Sequence, residues 1–96
     1  MTVFLRVEQR VGTYEDWKMM FDKDPLGRKK SGVRSYSISR SVGDPSYVTI
    51  DLAFSDSEQA KSFQTALRGL WQTPDAKNVM HNPQARLMEL VESKKV

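Results

Sequence analysis

Cysteine is absent from this 96-residue chain, histidine occurs once, and no apolar run approaches the ~18 residues of a membrane-spanning helix. Without cysteine there is no disulfide, no thiolate nucleophile and no cysteine-ligated metal, and nothing recommends a secreted, oxidising setting. One histidine, His81, cannot build an imidazole-rich metal site within one subunit. Met1–Arg10 alternates apolar and polar residues where a signal peptide would carry a continuous apolar stretch. The expectation is a cytoplasmic protein with no membrane segment. Glycine is sparse too, and Gly43 and Gly69 stand alone, so neither a phosphate-binding loop nor a dinucleotide fingerprint is present. Excess charge of one sign is modest at +3, and the basic residues adjoin only at Arg28-Lys29-Lys30 and Lys94-Lys95. Nucleic-acid recognition calls for a clustered stripe or a known module, so no nucleic-acid partner is expected.

What is present suits a folded domain. With 39% hydrophobic and 28% charged residues and no low-complexity tract, residues 1–96 read as one small globular domain. Val3, Leu5 and Val7 alternate with Phe4, Arg6 and Glu8, which predicts a first strand over Thr2–Gln9. Gly12 breaks that pattern. Thr13 followed three residues later by Asp16 is a capping-box signal, and Tyr14, Trp17 and Phe21 at helical spacing give the first helix an apolar stripe, ending near Asp24-Pro25. Asp24-Pro25 could start one extra turn before Gly27.

Val33–Val42 predicts a second strand, with Tyr36 and Ile38 on one face and Ser35, Ser37 and Ser39 on the other. Gly43-Asp44-Pro45-Ser46 reads as a turn folding the chain straight back into a third strand, Tyr47–Phe54, whose Val48, Ile50, Leu52 and Phe54 face the core. Ser55 with Glu58 three residues on is a second capping signal, placing the next helix start at about Asp56. Ala60, Phe63, Leu67, Leu70 and Trp71 form its stripe, and Thr73-Pro74 stops it. Asp75–Pro83 reads as a polar connection with room for one helical turn, and Gln84–Glu92 as the fourth strand, with a frayed end.

The order strand, helix, strand, strand, helix, strand predicts an α+β ferredoxin-like βαββαβ plait: a four-stranded antiparallel sheet with two helices on one face. The uncovered face would carry Phe4, Arg6, Glu8, Tyr47, Thr49, Asp51, Ala53 and either Ala85/Leu87 or Arg86/Met88/Leu90. That mixture is intermediate between a wet face and a core. A twofold partner covering it would bury its apolar members and let Arg6 pair with Asp51 or Glu8, so a homodimer through the open face is expected.

The run Tyr14-x-x-Trp17-x-x-x-Phe21, then Gly32-Val33, then Ser39-Arg40-Ser41-x-x-Asp44-Pro45, then Val48-x-Ile50-x-Leu52-x-Phe54 with Ala60 and Phe63 resembles the dimeric α+β barrel superfamily. More narrowly, the chain is similar to the short uncharacterised members grouped with antibiotic-biosynthesis monooxygenases. The resemblance covers nearly the whole chain, and its motifs are structural. It implies a two-sheet dimeric barrel and a range of activities: cofactor-independent quinol or polyketide oxygenation, haem degradation, lactone isomerisation, or none established. Trp71 and His81, ten residues apart at the end of the second helix, are similar to the Trp…His pair of the haem-degrading members, where the histidine ligates iron. Those members also carry an asparagine on the first strand. This chain has no amide there before Gln9, so haem is an incomplete match.

Each candidate has a plainer role beside the functional one. Trp71 closes an apolar stripe and suits core or cleft lining; His81 sits between Met80 and Asn82 in a polar segment, where solvent exposure competes with proton transfer. Trp17 and Phe21 are spaced for packing, and Arg6, Asp51 and Arg40 for interface or strand-end ion pairs, with an acidic or phenolic ligand as the alternative. The resemblance thus implies a monooxygenase, isomerase or cyclase acting without a cofactor on a small aromatic or polyketide-type molecule, with His81 moving protons and Trp71, Arg6 and Asp51 as ligand-contacting candidates. A non-catalytic ligand-binding or interaction module is the alternative.

Overall fold

The period-2 and helical segments fold in the expected order, with one short helix added. A computed structural model describes residues 2–96. Its elements are β1 (Val3–Val11), α1 (Tyr14–Asp22), β2 (Ser35–Ser41), β3 (Asp44–Phe54), α2 (Ser57–Leu70), α3 (Pro74–Val79) and β4 (Met80–Glu89). The strands form one antiparallel sheet in the order β2-β3-β1-β4, so the first and third strands lie side by side at its centre. This is the ferredoxin-like arrangement, with the helices packed on one face. No described helix is long and apolar enough to cross a membrane.

Alternation decides which side chains meet the helices. On β1, Val3, Leu5, Val7 and Val11 are buried, and on β3 so are Val48, Ile50, Leu52 and Phe54. Trp17 of α1 and Ala60 and Phe63 of α2 cover them. Burying a side chain of this size stabilises by roughly 1.5–3 kcal/mol, which is why the stripes rather than helix propensity anchor α1 and α2. Cross-strand register settles the two faces of β4: Leu5 pairs with Leu87 and Val7 with Ala85, so those two turn inward and Arg86 and Met88 lie on the open face. Leu90 continues that alternation, its amide donating to the Thr2 carbonyl at 3.0 Å.

The element ends carry the corrections. Thr13 caps α1 as expected, its hydroxyl accepting from the Asp16 amide at 3.3 Å. At α2 the cap is Asp56 and not Ser55: its carboxylate accepts from the Glu58 amide at 2.8 Å. Strand β3 begins at Asp44, because the reversal needs only Val42 and Gly43 and the register slip between Arg40 and Ser41 absorbs Pro45 in the strand. Strand β4 begins at Met80 and stops at Glu89, where Gln84–Glu92 was expected; α3 supplies the helical turn before it. Pro83 lies inside this strand at a bulge, where Asn82 and Pro83 together face Gln9 and Asn82 takes a φ of 51°. Asp24-Pro25 starts turns without helix, with φ at 50° on Asp24 and 62° on Gly27.

Candidate functional site

A cavity of about 60 Å³ lies between the sheet and the two long helices. Its floor is Val7, Gln9, Ile50 and Leu52; α1 contributes Trp17, Met20 and Phe21, and α2 contributes Phe63, Leu67 and Leu70, with Trp71 at its C-cap. The rim is the turn-built segment after α1, at Asp24, Pro25, Leu26 and Arg28. The wall is aromatic because α1 spends its stripe on rings: Trp17 stacks on Phe21 at 5.2 Å between centroids, and Phe21 meets Tyr36 edge-on at 5.1 Å. Both tryptophans of the chain line this one space.

Three polar side chains reach it. Gln9 is 2% exposed and is the buried polar residue among the apolar core positions of the described residues. Its Nε2 donates to the Val48 carbonyl at 3.3 Å. Arg28 lies at the rim with its guanidinium 3.9 Å over the Phe21 ring and 5.1 Å from that of Tyr36. It donates to the Phe21 carbonyl at 2.8 Å, and its Nε is 3.6 Å from Asp24 Oδ1. The same carboxylate accepts the Arg28 amide at 2.9 Å, which explains why Asp24 holds its left-handed backbone: the short side chain closes the turn locally. Asp24 and Arg28 are thus the titratable groups on the wall, and they are paired with each other.

Of the residues expected from sequence, Trp71 alone lines the cavity. His81 is exposed and pairs in register with Arg10, which places it on the open side of the sheet. It shares with Trp71 only a shallow outer groove, edged by Gln72, Lys77 and Asn82. Arg6 and Asp51 are cross-strand neighbours on the open face, joined at 2.8 and 3.2 Å within one chain, so their pairing needs no partner subunit. The hydrogen bond that Arg6 donates to Asp51, then the charge of that carboxylate, raises the Arg6 pKa above its ordinary value. The structure therefore leaves His81, Arg6 and Asp51 outside the inner cavity that Trp71 lines. It does not fit haem either: the inner cavity is far smaller than a macrocycle, and the groove beside His81 is open and polar where a porphyrin needs apolar cover.

Sequence reading missed Gln9, Trp17, Asp24 and Arg28 as site residues. One signal was there to find: Val3, Leu5, Val7, Gln9, Val11 is a single inward register, and an amide interrupts it.

No protein-family model matches the sequence, and no curated protein does. Solved structures match over nearly the whole chain. A protein provisionally described as an antibiotic biosynthesis monooxygenase from Bordetella bronchiseptica superposes with a TM-score of 0.67 at 14% identity, covering 95% of this chain and 98% of its own. SnoaB, a cofactor-independent oxygenase from Streptomyces nogalater, gives 0.70 at 11% identity over 96% and 95%. A dimeric ferredoxin-like protein from an uncultured marine organism gives 0.64 at 10% identity over 97% and 98%. The structural neighbours are thus ferredoxin-like proteins of the antibiotic-biosynthesis-monooxygenase kind. At these identities the shared property is the fold.

Proposed function

We propose that this protein is a monooxygenase-like enzyme that encloses a small, flat, largely apolar molecule between its sheet and helices and oxidises it without a resident cofactor. The observation that carries the reading is the cavity itself: apolar and aromatic walls from both helices, one amide on the floor and one carboxylate–guanidinium pair at the rim. The oxygenase fold neighbours support the choice of reaction class. With no cofactor the electrons that reduce O2 must come from the ligand, one oxygen atom entering the ring as a carbonyl and the other leaving as water with two of the ligand's hydrogens, so an electron-rich hydroxyaromatic of the small aromatic or polyketide type is the substrate class. Trp71 and Trp17 hold its faces. Asp24, the carboxylate on the wall, receives its proton in place of His81, which the fold keeps outside. At about 60 Å³ the cavity is smaller than the ~150 Å³ in which an engineered apolar cavity takes up benzene, so entry widens it at the rim from Asp24 to Arg28.

A second copy of the chain covers the open face. Phe4 and the nearly buried Ala53 lie there in register with Met88, and Met88 and Leu90 are still 41% and 42% exposed. The dimeric ferredoxin-like neighbour supports this assembly.

Oxygen uptake with naphthohydroquinone in chelator-treated buffer tests the enzymatic reading. Uptake above the buffer rate that falls about ten-fold or more in Trp71→Ala, the scale on which lost positioning acts, is the expected result. Uptake no faster than buffer contradicts catalysis. Retained ligand binding in that case favours the non-catalytic binding module, a reading that the place of His81 outside the cavity lining also supports.

A further inference from the structure

We infer that Gln9 determines specificity in this cavity: its amide oxygen accepts a hydrogen bond from a hydroxyl or N–H carried by the ligand, so that donor-bearing rings are selected over their hydrocarbon isosteres. The inference rests on the reading that the cavity holds a ligand.

Gln9 lies where the β1 register calls for an apolar residue, between Val7 and Val11, and it is 2% exposed. An amide buried among valines and leucines costs stability unless its hydrogen-bonding capacity is used. One of its two N–H donors is used by the chain, through Nε2 to the Val48 carbonyl. Oε1 accepts from no protein donor among the described residues, yet no side-chain oxygen sealed from all solvent space lacks a partner. The two facts agree if Oε1 borders the cavity that Gln9 lines. Fixing the NH2 on Val48 also fixes which end of the amide faces inward, so the cavity floor presents an acceptor.

The local backbone supports the same assignment. Opposite Gln9, β4 carries the Asn82–Pro83 bulge, with Asn82 in the left-handed region and Pro83 bringing no amide hydrogen. Bulges re-aim side chains beside binding sites. Here the bulge frees the one polar residue of the inward register from a regular ladder on that side. An acceptor on an apolar floor discriminates by rejection as well as attraction, because a ligand without a donor leaves Oε1 dry and unpaired.

Phenol and toluene serve as a matched pair of probes, titrated into the intact protein and followed by calorimetry. A purely apolar cavity prefers toluene, since the hydroxyl of phenol must be stripped of water. With Oε1 as acceptor, the wild-type protein binds phenol at least as tightly as toluene, and Gln9→Leu lowers the phenol-to-toluene affinity ratio about ten-fold while toluene still binds. A wild-type protein that strongly prefers toluene, or a ratio unchanged in Gln9→Leu, overturns the inference alone. Failure of both probes to bind overturns the cavity reading and this inference together. Should Gln9→Leu not fold, the wild-type ratio still decides.

Discussion

Trp17 and Arg6 show how differently two residues of one sheet-and-helix layer contribute. Trp17 is 2% exposed, stacks on Phe21 and seals one wall of the cavity. Removing its ring leaves a hole that the sheet beneath cannot fill, so Trp17→Ala is expected to destabilise by about 3–5 kcal/mol in denaturant unfolding. Arg6, with side-chain exposure of 47% in the single chain, is held by Asp51 on the open face, and in the single chain Arg6→Ala is expected to cost less than about 1 kcal/mol. A reversed order of the two effects would mean that the open face and not the helix-covered face carries stability. The same contrast explains what was legible at this scale. Trp71 was readable as a cleft residue because it continues a stripe of four apolar positions on α2, Ala60, Phe63, Leu67 and Leu70. His81 was not readable as an outward residue of a sheet, because its facing depends on the register β4 keeps beyond a bulge.

Among elements, alternation and capping were well written in the chain, and interruptions were not. The central strands β1 and β3 and the start of α1 follow from side-chain pattern alone. Pro45 and Pro83 read as strand breakers, yet both fall inside strands at irregular positions where no ladder amide is needed. The early start of β3 has a further anchor. Asp44 accepts from the Ser46 hydroxyl at 2.7 Å and pairs with Arg10 of β1, and these contacts lower its carboxyl pKa, Ser46 contributing most and Arg10 next. A carboxyl depressed in the folded state adds stability above its unfolded pKa and loses it as pH falls through the lowered value. The stability difference between wild type and Asp44→Asn should therefore be present at neutral pH and shrink on acidification below the ordinary carboxylate range. A difference independent of pH would detach the hairpin anchor from charge.

At the scale of the whole molecule, the βαββαβ order was enough for the sheet and its one-sided cover, because two amphipathic helices can bury their stripes against only one face. The cavity was not legible. It arises from the fit of two aromatic stripes over a floor interrupted by an amide, and no single segment encodes that space. Assembly follows from the other face: light scattering at micromolar concentration is expected to report about twice the 11.0 kDa chain mass, and a monomer would leave the open face to water.

The central claim is that the helix-covered cavity, and not the open face or the groove beside His81, receives the ligand. Both tryptophans line that cavity, so a proton–nitrogen correlation spectrum recorded during addition of toluene reads it directly. The expected result is saturable shifts of the Trp17 and Trp71 indole N–H signals and of the Gln9 side-chain amide, with Arg6, Asp51 and His81 unmoved. Shifts centred on Arg6, Asp51 and His81, or no saturable shift at either indole, would contradict the account.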